Sequence, residues 1–365
     1  MKGKMNIHKL TASIAAVLLS ASLFSCSSDD FLGKPESGST KGISFGVSTE
    51  NSAATRANNS NDGYTVARYT LRSDNSADTL CVRAVVTDGI GNSVNKPATR
   101  AAMQTSMYDK FKVVAAVKEN GNVVSQYYMD DVATKTGTNW VPSKTYYWPG
   151  SNRQLRFLAW APTDASFQSV PNNPNATTLQ YTTPADAKDQ RDIVAAATDF
   201  IDSPTNNGTC TPVSLNFKHL CTAVIIKTGA TMTEGTIKSV SLKGIKNSGT
   251  YDMVNSAWTL NNSTADFTIS PNKETTSTTP NGTDLNAGES TFMLLPQTLG
   301  ADSKLEVAFH DNISGKDRIL SASLNGAEWP MGKTVTYRLS ITPEYELKFT
   351  SEPKVQDAHY VIYPI

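Results

Sequence analysis

Short apolar runs, many alternating with polar residues, recur along this chain and are cut roughly every 8–12 residues by Gly, Pro, Asn or Asp. Ile43, Phe45 and Val47 alternate with small residues and open the series. Strands are predicted at 65–71 and 79–86, then at 111–117, where the run is nearly continuous. Gly121 interrupts that run and 123–129 resumes it, which predicts a hairpin. Further strands are expected at 155–162 and 179–182. A second set follows at 213–217, 223–228, 235–243, 249–253, 257–260, 289–295, 304–310, 318–324 and 333–341. One stretch, 185–197, fits a helix, with Asp186, Asp189 and Asp192 on its polar side. Loops are expected at 49–63, 88–105 and 272–286. The pattern indicates an all-β chain of two sandwiches, 43–205 and 206–343, and a terminal strand segment, 344–365. No fixed-period repeat points to a propeller or a solenoid.

The N-terminus is of another kind. Lys2, Lys4 and Lys9 precede the apolar stretch 10–24, which is too short to span a bilayer as a helix. It reads as an export signal over residues 1–25. Leu23-Phe24-Ser25-Cys26 resembles a bacterial lipobox, which implies cleavage before Cys26 and lipidation there. Ser27-Ser28-Asp29-Asp30 is similar to the surface-export signal of Bacteroidetes lipoproteins. Residues 26–42 are Ser-, Gly-, Lys- and Pro-rich and read as a flexible tether.

The full chain carries 33 basic and 33 acidic residues, so no basic stripe argues for nucleic acid. Beyond Cys26 there remain Cys81, Cys210 and Cys221, an odd set that cannot form a full disulfide framework. Cys81 and Cys221 sit in strand-like runs and read as small buried side chains. A Cys210–Cys221 bridge stays open at this point.

Catalytic chemistry is thinly represented. His219, His310 and His359 lack the spacing of a zinc helix, and His219 reads as a packed residue beside a strand. Gly42-Ile43-Ser44-Phe45-Gly46 matches a nucleophile-elbow pattern, but it opens a strand with no helix after it. Asp130-Asp131 and the 186/189/192 aspartates lack the glycine and terminal Glu of a calcium loop. No cofactor or metal is expected, and no enzyme. Trp140, Trp148, Trp160, Trp258 and Trp329 could stack on sugars if exposed, which makes a monomeric glycan- or host-ligand-binding surface lipoprotein the alternative. Trp258 is the least committed of them to a core.

Five landmarks in order carry a family resemblance: Tyr146-Tyr147-Trp148-Pro149, the strand 155–162, Leu215-Asn216-Phe217-Lys218-His219-Leu220, Met293-Leu294-Leu295-Pro296-Gln297, and Trp329 to Tyr337. Together behind the lipobox they resemble the fimbrillin-like (Mfa-like) family of Bacteroidetes. The resemblance implies two tandem transthyretin-like Greek-key β-sandwiches in a subunit or anchor of a lipoprotein-derived (type V) pilus. It implies an arginine-specific cut, for which Arg56 and Arg100 are the candidates, and a groove opened by loss of the first strand. A C-terminal strand of the next subunit would fill that groove by β-strand addition. The apolar tail bearing Tyr360, Val361, Ile362 and Tyr363 is the candidate donor. The implied partners are the outer membrane through lipid, other fimbrillin subunits, and a host or bacterial surface ligand. The implied location is the outer-membrane surface, or the fimbrium after processing.

Overall fold

The computed structural model describes residues 42–49, 66–72, 78–88, 107–150, 152–202, 205–206, 209–286 and 288–343. Strand β1 (Phe45–Thr49) is followed by the hairpin β2 (Val66–Arg72) and β3 (Asp78–Asp88). Then come β4 (Lys110–Glu119), β5 (Asn122–Thr136), β6 (Asn139–Pro142), β7 (Arg153–Ala161), β8 (Phe167–Ser169) and β9 (Thr178–Thr182). A 3₁₀ turn (Ala187–Asp189) leads to β10 (Val194–Ala197), the small pair β11 (Thr205–Asn206) and β12 (Thr209–Cys210), and β13 (Val213–His219). The chain goes on through β14 (Thr222–Thr228), β15 (Gly235–Lys246), β16 (Ser248–Asp252), β17 (Ala257–Leu260), β18 (Thr264–Ile269) and β19 (Lys273–Thr275). It ends with β20 (Phe292–Leu294), β21 (Gln297–Thr298), β22 (Lys304–Asp311), β23 (Lys316–Ser323), β24 (Glu328–Trp329) and β25 (Lys333–Pro343).

Seven strands close on themselves in the order β1-β13-β10-β7-β4-β5-β6. Closure leaves no open sheet edge to manage. It depends on β1, which runs parallel to β13 from Phe45↔Val213 to Thr49↔Phe217 and meets β6 at one pair, Phe45↔Trp140. On β13, Val213, Leu215 and Phe217 are buried while Ser214 and Asn216 are exposed, the period-two signature of a half-buried strand. On β4 the alternation vanishes because both faces are covered. Phe111, Val113 and Ala115 face the closed core, and Val114 packs into a second cluster outside it. The hairpin between β4 and β5 turns on Asn120 and Gly121, both at positive φ (50° and 84°), as a two-residue turn of that hand requires.

Two other sheets, β2-β3-β25-β14-β20 and β18-β15-β22-β23, face one another as a sandwich. Leu80, Val224 and Tyr337 from the first meet Ile237, Phe267 and Val307 from the second in one core. Gly235 is required there, since a Cβ would lie 2.2 Å from Phe309 Cζ and 2.3 Å from the His310 carbonyl. A four-stranded sheet, β17-β16-β9-β8, joins the closed sheet to the sandwich. Its central pair, Thr182↔Ser248 to Thr178↔Asp252, unites strands far apart in sequence.

Several expectations change. The stretch 185–197 is not a helix: only Ala187–Asp189 coils, and Val194–Ala197 pairs with β7 and β13. Ile193 to Ala196 are buried on both sides of a central strand, which mimics a helical run in sequence. The stretch 272–286 is more than a surface loop. It contains β19, and the Asn286 side chain accepts from Ile226 N (2.5 Å) and donates to the Val224 carbonyl (3.0 Å), continuing the edge of β14 beyond β20. Cys81 is exposed, not buried, whereas Cys221 is buried and free, so it forms no bridge to Cys210. The divide expected at 205/206 is crossed by several strand pairings, among them β9 with β16 and β10 with β13. Hairpin β2–β3 pairs with β25 in the sandwich, and β13 pairs with β1 in the closed sheet. Strand β18 is an addition to the expected set, although Ala265, Phe267 and Ile269 alternate with exposed Thr264, Asp266 and Thr268 as a half-buried strand should.

Candidate strand-acceptor site

The first strand sits in an aromatic slot. Ile43 and Phe45 are buried and Val47 is half-buried against the same core. Ser48, which follows Val47, is exposed and reaches Asn216 Oδ1 from its hydroxyl (3.2 Å). Phe45 meets Phe111 and Phe157 edge to face, with centroids 5.7 and 5.4 Å apart. Phe111 in turn lies 5.1 Å from Phe217. Ile43 N donates to the Tyr146 carbonyl (2.7 Å), and Val213 N donates to the Ser44 carbonyl (2.8 Å). The rim is fixed by Trp140, whose indole N–H donates to the Tyr108 carbonyl (2.9 Å). Burying Ile43 and Phe45 contributes about 1.5–3 kcal/mol each. This five-residue strand is paired along its whole length with β13 but at one residue with β6. Its loss would expose a groove lined by Phe111, Trp140, Phe157 and Phe217. An unfilled groove of that kind favours an extended apolar replacement.

A buried polar cluster lies beside this slot. Asp192 is fully buried, and its two carboxylate oxygens lie 3.0 and 2.8 Å from His219 Nδ1. Tyr108 donates its hydroxyl to the Asp192 carbonyl (2.8 Å). Burial first, and then the Asp192 charge, pushes the Tyr108 phenol far above its ordinary range. The same two causes push the Cys221 thiol up to about 12, which makes it inert near neutral pH. Gln190 crosses from the 3₁₀ turn to the sandwich: its Oε1 accepts from Met293 N (2.7 Å) and its Nε2 donates to the Pro184 carbonyl (3.0 Å). His219 is thus a packed residue, as its setting beside a strand suggested. Its partner Asp192 is buried against it and does not lie on the polar side of a helix.

Of the residues singled out in sequence, Cys26, Arg56, Arg100, Tyr360, Val361, Ile362 and Tyr363 lie outside the described residues. The elbow-like Gly42 to Gly46 runs straight into β1, with Ser44 in the ladder. Trp140, Trp148, Trp160 and Trp329 are buried. Trp258 is half-buried, donates to the Leu220 carbonyl (2.9 Å) and packs 5.3 Å from Tyr251. Among the described residues, no group of three or more His, Cys, Asp or Glu is placed to hold a metal. No helix among them is long and apolar enough to cross a membrane.

The fimbrillin-like family profile matches residues 99–357, most of the chain. The chain belongs to the fimbrillin-like family. No curated protein matches it. Among solved structures, this fimbrillin-like chain is similar to a "putative cell adhesion protein" from Bacteroides ovatus (14% identity, 70% of this chain and 92% of that one, TM-score 0.43). It is similar to another from Bacteroides uniformis (13% identity, 64% and 91%, TM-score 0.39). It is also similar to the fimbrial anchor protein Mfa2 from Porphyromonas gingivalis (14% identity, 60% and 73%, TM-score 0.29). The family assignment rests on the sequence match. A fimbrillin-like chain has a structural role in pili or adhesion at the cell surface, in the company of other pilus subunits.

Proposed function

We propose that this fimbrillin-like chain is a subunit or anchor of a lipoprotein-derived surface pilus, held in the outer membrane by lipid on Cys26 and joined to its neighbours by strand exchange. The observation that carries the reading is the seating of β1: a five-residue strand, paired at one residue on its β6 side, fills a slot of four aromatic side chains. Arg56-Ala57 follows β1 in sequence, so a cut there parts β1 and the lipidated end from the rest of the chain. The vacated slot then accepts the C-terminal strand of a second copy, with Tyr360, Val361, Ile362 and Tyr363 supplying apolar and aromatic side chains. Burying several of them, at about 1.5–3 kcal/mol each, holds one subunit to the next. An uncut chain stays on its lipid as an anchor.

The test is made on material from the producing cell. A ladder that resists SDS until boiled, built from chains starting at Ala57 or Ala101, supports a polymerising subunit. A single band starting at a lipidated Cys26 points to an anchor or to the monomeric ligand-binding lipoprotein. Deleting residues 355–365 should abolish the ladder; a ladder that survives shows that the tail is not the donor.

A further inference from the structure

The hairpin β2–β3 lies in the sandwich, although the strands before and after it in sequence, β1 and β4, lie in the closed sheet. The chain therefore crosses to the sandwich and back before the closed sheet is finished. The hairpin is held there over a long front. Strand β3 pairs with β25 at eleven positions, from Lys333↔Asp88 to Pro343↔Asp78. Strand β2 pairs with β3 at seven, from Val66↔Val85 to Arg72↔Thr79. Leu80, Val82 and Ala84 are buried in the sandwich core, with Val86 packed against it, while Cys81 and Arg83 between them point outward. By contrast β1 has five pairs with β13 and one with β6.

We propose that the flank of β25 is a docking surface for the hairpin Val66 to Asp88, one that retains it without the covalent link to β4. Scission between Asp88 and Lys110 then leaves the hairpin in place as a separate chain. The register supplies a continuous antiparallel ladder, and the three inward side chains fill positions that no other described strand occupies. The two candidate cut sites consequently differ in outcome. A cut after Arg56 leaves the upstream fragment attached through β1 alone. A cut after Arg100 leaves everything upstream attached through β1 and through the hairpin. On the lipid-anchor reading above, the second cut on its own does not free the protein from its membrane. The retention itself does not depend on that reading.

The experiment uses the purified full chain, cut with an arginine-specific protease and passed over a sizing column in native buffer. If Arg100 resists, a variant with a site-specific protease sequence in place of residues 94–101 supplies the cut. The expected result is that the fragment ending at the cut co-elutes one-to-one with the body and leaves only in denaturant. The amides of Val335 to Ile341 should keep their protection from hydrogen exchange. A fragment that elutes free, or β25 amides that exchange as soon as the chain is cut, overturns the proposal. A Leu80→Asp, Val82→Asp chain should shed the fragment on scission, and co-elution unchanged from the unsubstituted chain would also overturn it. Either failure leaves the β1 slot untouched, because β1 belongs to the other sheet.

Discussion

Replacing Phe45 by alanine should unseat the strand on which the acceptor site depends. Phe45 is fully buried and touches the rings of Phe111 and Phe157 edge to face. Truncating a buried phenylalanine costs about 3–5 kcal/mol, transfer and residual cavity together. Collapse cannot fill the space, because Phe111 is already packed on Phe217 and Phe157 on Trp148. With an m-value of roughly 3 kcal/mol/M, the urea midpoint should fall by about 1–2 M. The assay is tryptophan fluorescence, to which Trp140 beside the slot contributes directly. Ser48→Ala is the control: the same strand, an exposed side chain, and a change within about 0.5 kcal/mol. If Phe45→Ala were no more destabilising than Ser48→Ala, β1 would not be seated in the closed sheet. The groove left by its removal would then have no physical basis.

Other outcomes are expected. His219→Ala leaves the buried Asp192 carboxylate without its imidazole partner and should destabilise by about 3–5 kcal/mol in urea titration. Asp131 is drawn upward in pKa by burial, but hydrogen bonds from Ser143 Oγ, Lys144 N and Val132 N outweigh this and hold it below the usual carboxylate value. Its folded pKa lies below its unfolded one, so its contribution is complete above about pH 4 and is lost as the pH falls through the folded value. Asp131→Asn should therefore flatten the acid limb of the stability curve and lower the plateau at neutral pH. In thiol labelling read by peptide mass, exposed Cys81 should react in the native protein and Cys221 only after unfolding.

Most strands were legible because each has one wet face. On β13 and β22 buried and exposed or half-buried residues alternate strictly, and both strands were placed within a residue or two of their ends. The false helix at 185–197 has a physical cause. Where a strand is covered on both faces, as at β10, the alternation disappears and a short apolar run reads equally well as a helix. The slot's inward residues Ile43, Phe45 and Val47 were visible, but their aromatic surroundings come from β4, β7 and β13, which only the fold assembles. The crossing of β2–β3 into the sandwich has no local signature. Pairing partners 250 and more residues apart, such as Val82 and Leu339, leave no mark in a single sequence. The same holds for Gln190 with Met293 and Asp192 with His219.

The claim that this protein works by mating strand edges can be tested on one binding isotherm. The full chain, cut after Arg56 and freed of the fragment bearing β1, is titrated with a peptide of residues 357–365. Saturable binding that a peptide of residues 42–49 competes away, and that the uncut chain does not show, is the result expected. No binding to the cut protein, or equal binding to cut and uncut chains, would contradict it.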